Sequence, residues 1–192
     1  VLADGMQIKA AKLRGVASDG MFCSCESLGI DDSSLDILEF SDAVAPGTDI
    51  AAALELDGTI LDIAITPNRG DCLSYRGVLR QLAAYTRQDW QPDTKIDITA
   101  KGDSYAAEVN CQQMAPLFAV RNITNLSPDV PTPIALVEFL RRSGMRSVNL
   151  VVDCLNIAML EHGQPLHAYD ADKLQGALSV RLSKPGEQIT LL

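Results

Sequence analysis

Apolar and polar residues alternate or recur along this chain in short blocks, and those blocks predict its elements. "MQIKAAKL", 6–13, reads as a strand, and the polar, Gly-bearing "RGVASDG" as the loop after it. "LDILEF", 35–40, alternates like a half-buried strand, and Pro46-Gly47 punctuate the turn that follows. "AAALEL" suits a short helix; "ILDIAI", 60–65, puts Leu61, Ile63 and Ile65 on one face of a strand. In 73–88, Val78, Leu79, Leu82, Ala83 and Tyr85 recur at helical spacing, with Asp71 or Ser74 placed to cap the first turn. The polar stretch 89–97 is the expected linker. Beyond it, "KIDITA" and 116–126 are strand-like. Thr132 and Pro133 open a helix with Ile134, Val137 and Leu140 on one side, which Gly144 can end. The apolar 148–152 reads as a short strand, Asp153 as the cap of a helix stopped by Gly163, and 177–183 and 188–192 as closing strands.

Composition narrows the class. The 192 residues are 47% apolar, which suits a folded core, and no apolar run approaches the ~18 residues that a membrane helix needs. The start carries no signal-peptide pattern, so a soluble cytoplasmic protein without a membrane partner is expected. Because the first residues read as the approach to a strand and the last five as a strand with no turn after it, an internal piece of a longer chain is expected too. The net charge of −9 argues against a freestanding nucleic-acid binder, though not against local contact with RNA within a larger assembly. Cations cluster at Lys9, Lys12 and Arg14, and again at Arg141, Arg142 and Arg146; the plain reading of each is a solvated surface. Five scattered cysteines do not read as a disulfide framework, and the lone Cys23-x-Cys25 is a poor zinc signal; Cys154, between apolar neighbours, reads as buried and inert.

Candidate chemistry collects in "LEHGQPLHAYD", 160–170, which holds both histidines. An imidazole titrates near neutrality, so His167, after a Pro-bearing turn, can take or give a proton. Asn156, eleven residues back on the preceding helix, can return to the same pocket, where an amide and an imidazole orient a water or an ester carbonyl. The structural alternative is a histidine bonded to nearby backbone.

Three blocks carry a resemblance. Lys12, Arg14, Gly15, Ser18, Gly20, Met21, Cys23, Ser24, Leu28 and Gly29 resemble the distal part of the OB-type tRNA-binding domain in the beta subunit of bacterial phenylalanyl-tRNA synthetase. Pro67, Asn68, Arg69, Asp71 and Cys72 are similar to that subunit's next signature. Asp153, Asn156, Gly163, Gln164, Pro165, His167 and Asp170 fall where its editing module begins. The resemblance implies an α+β fold: a truncated OB-type β-barrel remnant at 1–50, a small α/β connector at 51–92, and the first half of an editing domain at 93–192, with antiparallel-leaning sheets. It implies a ligase that joins phenylalanine to tRNA(Phe) with ATP and Mg²⁺, as two alpha and two beta subunits. The beta subunit binds tRNA and hydrolyses mischarged tyrosyl-tRNA. It carries the editing histidine onto His167 and a pocket amide onto Asn156, and makes Lys12 and Arg14 candidates for tRNA contact. No cofactor is expected in the piece itself, and it is expected to be inactive alone. The departures are Cys154-Leu155-Asn156 where the family has V-T-N, and Ala115-Pro116-Leu117-Phe118 where it has C-P-R-Y. They keep open a second reading, a structural or tRNA-docking scaffold with weakened editing.

Overall fold

The computed structural model describes residues 1–30, 36–40, 44–54, 56–91, 99, 102–127 and 129–190. Among them are four α-helices and two small sheets, a mixed α and β chain. It divides into two compact units: Val1–Thr59 with Pro133–Ala135, and Ile60–Thr132 with Leu136–Leu192.

In the first unit β1, Ala11–Leu13, pairs antiparallel with β2, Val16–Ser18. Only two residues join them, and both Arg14 (φ 50°) and Gly15 (φ 86°) are left-handed. That is the twist a two-residue hairpin needs. The segment expected as a loop therefore holds a strand, and the strand expected over 6–13 shortens to its last three residues. The expected strand at 35–40 falls partly outside the described residues; Ile37 makes only an isolated bridge to Ser24. A short helix, α1, Ile50–Ala53, begins where expected, with the Asp49 carboxylate accepting from the Ala51 and Ala52 N–H groups. Ile30 and Leu54 are its unit's buried apolar side chains among the described residues.

In the second unit the expected strand at 60–65 forms no ladder; Ile60, Leu61 and Ile63 are exposed. A 3-10 turn, Gly70–Cys72, leads into α2, Tyr75–Thr86. Ser74, not Asp71, is the cap: its hydroxyl accepts from the Gly77 N–H at 3.0 Å. Asp71 is held instead by Arg69 and Arg80. The turn and helix approach so closely at Gly77 that an added Cβ would lie 1.9 Å from the Asp71 carbonyl oxygen. Most of the expected linker and of "KIDITA" lies outside the described residues.

Strand β3, Ala107–Val109, runs parallel to β4, Leu178–Val180, which corrects the antiparallel expectation for this sheet. A parallel pair needs a long crossover, and two helices lie within this one. The pair is fastened at its end by the Asn110 N–H to the Val180 carbonyl, 2.8 Å, and the Asn110 side chain to Ser179, 3.1 Å. The stretch 116–126 and the described residues of 188–192 form no ladder.

Helix α3, Ile134–Arg142, ends before left-handed Gly144, as expected. It buries Leu140 and Glu138, whose carboxylate accepts a forked pair of bonds from Arg141. Helix α4, Leu150–His162, starts inside the segment expected as a strand. Its cap is Asn149, whose side chain accepts from the Val152 N–H, and not Asp153. Gly163 closes it in a left-handed turn (φ 78°), with the site of its missing Cβ 3.1 Å from Ser74.

Candidate active-site hollow

Helix α4 positions one wall of the site. Val152, Leu155, Asn156 and Met159 stand at i, i+3, i+4 and i+7, so they share a single face. After the Gly163 turn the chain returns, and Pro165, Leu166, His167 and Tyr169 form the opposite side of a hollow of about 380 Å³. The spacing that groups 152, 155, 156 and 159 turns Cys154 away from that face. It is exposed, contrary to the buried thiol expected from its neighbours.

The walls are largely alkyl, and three polar groups break them: the Asn156 carboxamide, the His167 imidazole and the Tyr169 phenol. Asn156 is half-buried, whereas His167 and Tyr169 are exposed. The amide can donate and accept, and the imidazole can carry a proton to or from a water. Together they can bind an apolar group and orient a water or carbonyl beside it. Leu155 lies directly in this lining and offers no hydrogen bond.

The frame behind the site rests on Asp153. This side chain has no exposed surface. Its Oδ2 accepts from the Thr132 and Ser147 hydroxyls, each at 2.6 Å, and its Oδ1 from the Val148 N–H at 2.9 Å. Burial alone would raise its pKa, but the hydrogen bonds from Ser147, Thr132 and the Val148 and Asn149 backbone prevail, holding it below its ordinary value. One carboxylate thus joins the approach to α3, the 147–149 segment and the first turn of α4, the helix that presents Asn156. Reading Asp153 as a cap gave it the right helix end and the wrong partners.

Of the other candidates, Lys12 lies in β1 and Arg14 in the hairpin turn, both exposed, in the first unit. Leu117, where the family has arginine, is 85% exposed and is not among the residues of the hollow. Sequence reasoning missed Tyr169; the signal available was its place two residues after His167 on a chain returning to an apolar helix face. It also missed a second hollow of about 300 Å³ between α2 and α4, with Tyr75, Arg76, Leu79, Trp90, Phe139, Glu161 and His162 around it. There His162 stands 3.9 Å from Glu161.

Residues 114–192, the stretch that includes the lining of this hollow, match the B3/4 domain family. Over nearly the whole chain the similarity is closer still. It is 42% identical to the phenylalanine–tRNA ligase beta subunit of Nitrosospira multiformis, with 98% of this chain and 24% of that protein covered. It is 42% identical to the subunit of the same name from Idiomarina loihiensis and 41% to that from Aliivibrio fischeri, each over 100% of this chain and 24% of the relative. The chain is thus similar over nearly its whole length to phenylalanine–tRNA ligase beta subunits, and it spans about a quarter of the length of the curated relatives it matches.

Proposed function

We propose that this chain is the part of a phenylalanine–tRNA ligase beta subunit that contributes to tRNA binding and begins the site that hydrolyses tyrosyl-tRNA(Phe). In this reading 1–50 is the distal part of an OB-type domain, 51–92 a connector and 93–192 the first half of the editing domain. The whole enzyme, cytoplasmic and built of two alpha and two beta subunits, joins phenylalanine to tRNA(Phe) with ATP and Mg²⁺. Among the described residues no group of three or more His, Cys, Asp or Glu side chains is placed to hold a metal ion. No helix among the described residues is long and apolar enough to cross a membrane.

The observation that carries the reading is that Asn156 and His167 line one hollow with alkyl walls. An aminoacyl ester has an apolar side chain to seat and a carbonyl to be attacked by water. Val152, Leu155 and Met159 supply the seat, Asn156 a donor for the carbonyl oxygen, and His167 the group that orients or deprotonates the water. The selective logic is physical. A pocket shaped for phenylalanine rejects an added hydroxyl poorly, so a second hydrolytic site corrects the error. Lys12 and Arg14, on an exposed hairpin, are the proposed tRNA contacts of the first unit.

The test is deacylation of tyrosyl-tRNA(Phe) by the intact enzyme with and without His167→Ala. The expected loss is about 100-fold or more, the usual contribution of a positioned acid or base. An unchanged rate ends the assignment of His167. A second reading, a scaffold with weakened editing, is favoured by Leu155, an alkyl group in the lining where the family places a hydroxyl. On that reading Leu155→Thr raises the deacylation rate of the intact enzyme. The isolated chain is expected to be inactive, since misplacement by about 1 Å costs on the order of 100-fold.

A further inference from the structure

The second hollow plays no part in the hydrolysis proposed above, and its lining has a different chemistry. Tyr75, Trp90 and Phe139 bring three aromatic rings to about 300 Å³ of space. The Tyr75 and Phe139 rings lie 5.6 Å apart, tilted by 31°, and pack against each other within the lining. The Arg76 guanidinium lies over the Trp90 ring, 5.5 Å from its centre, so it covers one face of that ring and brings a cation to the lining. Glu161 joins the lining with about half of its side chain exposed, and the neighbouring His162 lies 3.9 Å from its carboxylate.

We infer that this hollow is a binding site for an unpaired guanine base. Its rings and guanidinium supply flat faces for stacking, the interaction that holds single bases irrespective of a duplex. A carboxylate is acceptor-only and takes two parallel N–H bonds well. Guanine offers two such donors side by side, N1–H and the N2 amine, whereas adenine offers a single amine and uracil one N–H. The volume accommodates a purine. The chain's charge of −9 repels a run of phosphates, so a base held by its faces and edge suits this surface better than a backbone held by charge. The shared chemistry, a guanine ring, comes either as a free nucleotide or as an unpaired residue in single-stranded RNA.

Trp90 is the chain's single tryptophan, so its fluorescence reports this hollow alone. Titrating the full 192-residue chain with guanosine should quench it saturably, and inosine, which lacks the N2 amine, should bind about tenfold more weakly. Glu161→Gln, an exposed change, should remove that preference and leave the stacking quench in place. GMP against a short RNA with one unpaired guanine separates the two sources: tighter RNA binding assigns RNA, and equal or tighter GMP binding assigns the nucleotide. No saturable quench by guanosine overturns the inference. So does equal binding of guanosine and inosine, or quenching by phenylalanine at lower concentrations than guanosine. None of these results bears on His167→Ala deacylation, so the two readings stand or fall separately.

Discussion

Asp153, in the first turn of α4, is fully buried and takes its bonds from hydroxyl and amide donors. Asp71, just ahead of α2, is exposed and takes its bonds from guanidinium groups: Arg69 Nε at 3.0 Å, Arg69 Nη2 at 3.1 Å and Arg80 Nη2 at 3.2 Å. Arg69 extends its set to Gln81 at 2.8 Å and to the Cys72 sulfur at 3.1 Å. Both carboxylates have depressed pKa values, Asp71 through its bond to Arg69 above all, even though its own desolvation opposes this. The lesson is that the same direction of shift has different worth. Neutral donors around a buried anion have nowhere else to turn, whereas exposed ion pairs compete with water and salt.

Several substitutions sharpen or break that contrast. The largest effect is expected from Asp153→Ala, which strands the Thr132 and Ser147 hydroxyls and the Val148 N–H. It should cost about 3 kcal/mol in urea unfolding, with little dependence on salt. A loss of under ~0.5 kcal/mol, the range of ordinary surface changes, would mean that the burial of Asp153 is not what secures α4. Next comes Gly77→Ala on the Asp71 side, where the new Cβ meets the Asp71 carbonyl at 1.9 Å. Overpacking against backbone should cost about 2 kcal/mol. A neutral result would show that the turn before α2 gives way.

Acid should act on both aspartates with the same sign. A carboxylate with a depressed folded pKa stabilises the fold above its unfolded value, near the ordinary 3.8, and loses that contribution as pH falls through the lower folded value. The acid limb of the stability curve should therefore start below about pH 4. Asp153→Ala should flatten it at any salt concentration, and Asp71→Asn only at low salt. Equal flattening by both variants in high salt would erase the distinction. The smallest effect is the neutral-pH cost of Asp71→Asn, a loss that fades as salt is raised.

Much of the helical part was legible in the sequence. Apolar spacing located α2, Ser74 stood ready to cap it, and Gly144 and Gly163 marked the ends of α3 and α4 through their left-handed turns. These signals are local, within one turn of helix. The strands were read poorly because pairing is not local. Residues 60–65 have the alternation of a strand without a ladder, while Ala107–Val109 finds its partner about seventy positions on. The apolar run at 148–152 fits a strand or a helix equally well, and Asn149 decided the matter by capping the helix one residue before Leu150. Of the candidate site, Asn156 and His167 were legible as a pair across a turn. Tyr169 and the role of Asp153 were not, since each depends on what the returning chain meets.

The Gly163 corner links these threads. The site of its missing Cβ lies 3.1 Å from the Cβ and Oγ of Ser74, the residue that starts α2. The end of one helix is thus braced against the beginning of another, and the strand of chain bearing His167 hangs from that brace. A side chain at position 163 would both strain this left-handed turn and press on the residue that starts α2, so the corner has room for little besides glycine.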